Sequence, residues 1–124
     1  MAKNRKIDLA TFIGKDCKFK GEMEIKGGIR IDGFVEGNIE SDGFVEIGEE
    51  GEIISDIKAE ECLIYGNVQG NIITKEAVEL EKTAQLKGDI TAKILKIHEG
   101  AIFNGYSNMK QDNNETGIET ELEK

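Results

Sequence analysis

The feature that most constrains this chain is an internal repeat of about 17 residues in which three apolar positions move in step. Two apolar residues separated by one recur as Ile29/Ile31, Val45/Ile47, Cys62/Ile64, Val78/Leu80 and Leu95/Ile97, with Thr11/Ile13 as a weaker first copy. The intervals between first members are 18, 16, 17, 16 and 17 residues. A second motif, glycine-polar-apolar, follows each pair at Gly21-Glu22-Met23, Gly37-Asn38-Ile39, Gly70-Asn71-Ile72 and Gly88-Asp89-Ile90. Ser55-Asp56-Ile57 is the variant copy and Gly105 opens a last one. Two residues ahead of each motif stands another apolar residue: Phe19, Val35, Ile53, Val68, Leu86 and Phe103. Such units cannot bury an apolar face alone and must stack.

Within a copy, apolar and polar residues alternate, as in Val45-Glu46-Ile47 and Ile57-Lys58-Ala59. That is the period of a strand with one buried face. Glycine, asparagine and aspartate punctuate the corners, so each strand is expected to be about three to five residues long. No 3.6-residue stripe runs through the body, and frequent glycine would weaken a helix. At about 3.3 Å per residue a coil has a perimeter near 55 Å, enough for three short sides; six coils stack to about 29 Å. The expected fold is all-β, a three-sided parallel β-helix of about six coils. Outward columns test the register, because opposite charges on adjacent coils attract. Arg30 should face Glu46, Glu79 should face Lys96, and Lys20 should lie beside Glu36, whereas Glu24 beside Glu40 is unfavourable. The column of Asn38, Asp56, Asn71 and Asp89 suits tight corners, where short polar side chains bond locally to the backbone.

The 124 residues suffice for one domain. Charge marks its limits. Residues 1–10 read as a flexible basic tail, 11–109 as the β-helix, and 110–124 as a disordered acidic tail. Asn114-Glu115-Thr116 matches a glycosylation sequon and is read as chance. A net charge of -9 argues against nucleic acid as partner. No apolar run is long enough for a membrane-spanning helix, and no signal-peptide pattern appears, so a cytoplasmic location is expected. The two cysteines, Cys17 and Cys62, are too few for a disulfide framework. Cys62 occupies an inward slot and reads as a core residue; Cys17 sits at a corner.

Enzyme vocabulary is sparse. The sole histidine, His98, reads as a surface residue at a corner, and no phosphate-binding loop occurs. By spacing alone, the cysteines and the histidine make no metal-ligand set. No catalytic residue, cofactor or metal is assigned. The rival reading is a left-handed β-helix acyltransferase of the hexapeptide type. The intervals of the glycine motif, 16, 18, 15, 18 and 17, break its six-residue rhythm. A secreted adhesin or ice-binding solenoid would need a signal and threonine ladders.

Thr11-Phe12-Ile13-Gly14-Lys15-Asp16 followed by Phe19-Lys20-Gly21 resembles the opening of the bactofilin family. Ile29-Arg30-Ile31-Asp32-Gly33, Val35-Glu36-Gly37-Asn38-Ile39, Val68-Gln69-Gly70-Asn71 and Gly88-Asp89-Ile90 are similar to its central coils. Leu95-Lys96-Ile97 and Glu99-Gly100-Ala101-Ile102-Phe103 resemble its closing coil. The resemblance implies a right-handed β-helix in a bacterial cytoskeletal protein that polymerises without nucleotide. It also implies frequent association with the inner membrane, and cell-wall or cell-shape proteins as further partners.

The ends point the same way. Neither terminal segment can form an amphipathic cap, so the terminal coils should expose apolar groups and strand edges. The expected polymer interface comprises Phe103, Ile102, Leu95, Ile97, Phe12, Ile13 and Phe19. Lys3, Arg5 and Lys6 precede Ile7, Leu9 and Phe12 and suit contact with an anionic leaflet; a solvated segment leading into the first strand is the other reading.

Overall fold

The computed structural model describes residues 9–109, and throughout them the chain is β-strand and turn. Alternating apolar residues wind it around one interior, on three faces. The first face carries β1 (Leu9–Ile13), β3 (Gly28–Ile31), β5 (Phe44–Ile47), the end of β6 (Glu52–Ile64), the end of β8 (Ile72–Leu80) and β11 (Ile94–Ile97). The second carries the starts of β2 (Lys18–Ile25), β4 (Phe34–Ser41) and β6, then β7 (Asn67–Gln69), β9 (Gln85–Lys87) and β12 (Ile102–Asn104). The third carries the later parts of β2 and β4, the middle of β6, the start of β8, β10 (Ile90–Ala92) and β13 (Ser107–Met109). Every pairing is parallel. The architecture is a three-sided parallel β-helix of about six coils.

The repeat becomes the core. Val35, Ile53, Val68 and Leu86 stack in register on the second face and are at most 2% exposed. Ile31, Ile47, Ile64 and Leu80 do the same on the first face at 0%. Ile39, Ile57, Ile72 and Ile90 form the third column. Each such side chain, fully buried, contributes about 1.5–3 kcal/mol relative to an exposed one. Cys62 belongs to this interior, and burial pushes its thiol up to about 12, so it stays protonated; Cys17 is exposed.

Two corner features differ from expectation. First, several strands are longer than three to five residues: β6 has 13 and β8 has 9. β6 keeps pairing through the corner at Ser55-Asp56, opposite Gly37-Asn38, and the β6–β8 ladder passes the next corner with a register shift between Ala59 and Glu61. Second, the corner side chains of Asp56, Asn71 and Asp89 bond the following coil rather than their own turn. Asp56 Oδ1 accepts from the backbone N–H of Asn71 at 3.0 Å, Asn71 Oδ1 from that of Asp89 at 3.0 Å, and Asp89 Oδ1 from that of Tyr106 at 3.2 Å. The short side chain spans one strand spacing, so it ties coil to coil.

The neighbouring glycine column shows why that corner admits no larger residue at Gly88. Its φ is +144°, and an added Cβ would fall 1.9 Å from the Gly70 carbonyl oxygen. Gly88→Ala should therefore destabilise the domain by about 1–3 kcal/mol, the scale of backbone strain at such positions. Urea unfolding followed by circular dichroism measures it; an unchanged midpoint would show that the corner can relax.

Candidate functional site

The two ends of the coil stack differ from its middle. Among the described residues, β1 pairs only with β3 and β2 only with β4. At the other end, β11 pairs only with β8, β12 with β9, and β13 with β10. Each of these five strands therefore offers one edge that no described strand covers. Such an edge is a template for another chain.

Burial follows the same pattern. Phe19 and Phe103 occupy the two ends of the second-face column, and both are half-buried against the core, in contrast to the closed layers between them. Ile13 and Ile25 at the first end, and Ala101 and Met109 at the last, are likewise half-buried. Phe12 is 63% exposed and Ile102 49%, but both point outward from the terminal strands, so they would meet a stacked partner at its rim. Leu95 and Ile97 differ from the expected open surface. At 5% exposure each, they lie in the packed columns over Val78 and Leu80, so they expose little area of their own. Lys3, Arg5 and Lys6 lie outside the described residues.

The lateral faces carry charge ladders. Arg30 lies between Asp32, at 3.1 Å, and Glu46 on the next coil, at 2.9 Å. The hydrogen bond that the guanidinium donates to Asp32 raises its pKa further, keeping the cation fixed. Lys20 reaches Glu36 at 3.8 Å on an exposed face, where such a pair is worth little. Glu24 and Glu40 are register partners, as the alternation implies, and Glu40 in turn lies beside Lys58. Glu79 and Lys96 are register partners too, yet the Glu79 carboxylate is held by His98, at 2.6 Å. That contact escapes a reading that treats His98 as an isolated surface residue. Its signal is that His98 lies one coil period, 17 residues, after Glu81, whose outward neighbour two residues earlier is Glu79.

A family model described as "Bactofilin: Polymer-forming cytoskeletal" matches residues 11–108. The chain belongs to the bactofilin family. Bactofilin BacO of Myxococcus xanthus is 32% identical over 99 residues, which cover 80% of this chain and 79% of that protein. Bactofilin BacP of the same organism is 27% identical over 99 residues, 80% of this chain but 41% of its own length. A cryo-EM reconstruction of Thermus thermophilus bactofilin double helical filaments matches with a TM-score of 0.77 at 35% identity, covering 81% of this chain and 99% of that one. The crystal structure of a phenylalanine-to-arginine mutant of Thermus thermophilus bactofilin matches at a TM-score of 0.67 and 35% identity, covering 71% and 98%. This bactofilin is thus a member of a polymer-forming cytoskeletal family, and the hexapeptide acyltransferase reading is not favoured. Among the described residues no helix is long and apolar enough to cross a membrane.

Proposed function

We propose that this chain assembles end to end into filaments through both ends of its β-helix and acts as a structural scaffold rather than an enzyme. The observation that carries this reading is the set of five terminal strands with an edge that no described strand covers, two at one end and three at the other. Edge pairing with a second copy would continue the ladder and cover the half-buried terminal side chains. Contacts at both ends propagate, whereas a self-complementary contact at one end would stop at a dimer. The Thermus thermophilus relative, which forms double helical filaments, supports the reading.

Phe103 is the residue on which the interface is proposed to turn, with Phe19 and Ile13 at the opposite end. Covering its ring would contribute about 1.5–3 kcal/mol, and an arginine there would cost several kcal/mol of desolvation. A relative carrying an arginine in place of a phenylalanine crystallises in a similar fold. Phe103→Arg should leave the circular dichroism spectrum unchanged and remove filaments in electron micrographs. A folded mutant that still forms filaments would refute the assignment of Phe103. Ile102 and Phe12 should matter less, as rim positions, and Leu95 and Ile97 should act through the core.

Assembly needs no nucleotide on this reading. Purified protein in EDTA, with neither ATP nor GTP, should sediment as polymer, and added salt should promote lateral bundling by screening the net charge of -9. Protein that stays monomeric at every concentration and ionic strength would overturn it.

A cytoplasmic location at the inner face of the membrane, and recruitment of cell-wall or cell-shape proteins, belong to the same proposal. Lys3, Arg5 and Lys6 would each add about 1 kcal/mol near an anionic surface, weak for one chain but summed along a filament. Full-length protein should co-sediment with anionic liposomes more than a version lacking residues 2–6; equal pelleting would remove the membrane from the proposal.

A further inference from the structure

We propose that Glu79, Glu81 and His98 form a binding site for a divalent transition-metal ion of the zinc type, bridging the last two coils. The backbone positions them. Leu80 and Ile97 are register partners on β8 and β11, so Glu81 and His98, the next residues, occupy the same corner on adjacent coils. Both corner amides are held, Glu81 N–H donating to the Ile64 carbonyl at 2.8 Å and His98 N–H to the Leu80 carbonyl at 2.9 Å. Glu79, two residues before Glu81, projects to the same outer side.

The donor atoms converge. His98 Nε2 is 2.6 Å from Glu79 Oε2 and 3.6 Å from Glu81 Oε2. One ligand atom from each of the three residues lies within 4.8 Å of the others. Around a tetrahedral zinc ion with bonds of about 2.0–2.2 Å, neighbouring ligand atoms sit about 3.3 Å apart. The two observed spacings bracket that value, so admitting an ion requires the His98–Glu79 hydrogen bond to open by under about 1 Å. All three side chains are partly exposed, which leaves an entry path and a coordination position for water.

The chemistry selects the ion. An imidazole nitrogen with two carboxylates suits zinc, nickel or copper, whereas calcium takes six to eight oxygens and magnesium keeps most of its waters. The same columns three coils earlier show what such a corner accommodates. There the Arg30 guanidinium lies between Asp32 of its own coil and Glu46 of the next. Glu79 and Glu81 stand where Arg30 and Asp32 do, so this corner holds two carboxylates and no guanidinium. Lys96 lies beside Glu79 in register. The ion would act as a staple between the fifth and sixth coils, on a fold that closes without it. Binding is read on the chain whether or not it polymerises, so it stands apart from the filament reading.

Titration of the full chain with zinc chloride by calorimetry, in a non-chelating buffer, should give one site with a dissociation constant in the micromolar range. Cobalt(II) should develop the visible absorption of low-coordinate, nitrogen-ligated cobalt. Zinc at tenfold excess over the dissociation constant should raise the thermal midpoint by about 2–6 °C, and magnesium should not. His98→Ala and, separately, Glu81→Gln should each weaken zinc binding at least tenfold. Absence of zinc binding and of the cobalt spectrum in the unmutated protein would overturn the proposal. So would undiminished zinc binding in His98→Ala, which places the ion elsewhere. The cobalt spectrum of the unmutated protein decides the matter even if a variant folds poorly.

Discussion

Parallel hydrogen bonding between successive coils is the constraint on which the rest of this structure depends. It holds equivalent residues of neighbouring coils one strand spacing apart, about 4.8 Å. Apolar residues at equivalent positions then form continuous columns, such as Val35, Ile53, Val68 and Leu86. No single coil could do this, since a strand of three to five residues has too little apolar surface to order itself. The same spacing dictates the corners. Each Gly in the column at Gly70, Gly88 and Gly105 sits against the carbonyl of the coil before, and a Cβ there would collide with it.

A stack built this way is closed in the middle and open at its ends. Interior layers have a neighbour above and below; the first and last coils have one each among the described residues. Phe19 and Phe103 are half-buried for that reason, although they belong to the same column as Leu86, which is 1% exposed. Membership of a polymer-forming family accords with such ends. The acidic exterior works in the other direction, opposing indiscriminate contact between the sides of like-charged chains.

Much of the fold was legible because its period is written in residue types that behave alike in every coil. Isoleucine, valine and leucine recur where the interior needs bulk, and the pairing of Arg30 with Glu46 and Lys20 with Glu36 followed from counting one coil forward. The corners were less legible. The corner pattern points to Asp56 bonding its own turn, but its carboxylate accepts from the backbone N–H of Asn71 on the next coil. Strands outrun the three to five residues expected because glycine usually breaks a strand, whereas in β2 and β4 the left-handed φ of Gly21 and Gly37 turns the chain while the ladder persists. Leu95 and Ile97 looked open from their place near the end of the repeat, yet both are enclosed.

The sequence by itself determined the coil, its three apolar columns, the charge of its exterior and its family motifs, because each depends on a residue type repeated at one period. Only the tertiary structure decided which of several outward groups pair. Glu79 has Lys96 in register and His98 diagonally across, and both are within reach of a flexible carboxylate. Period arithmetic treats those two as neighbours alike. Side-chain length, corner geometry and partial burial separate them, and these exist only once the adjacent coil is in place.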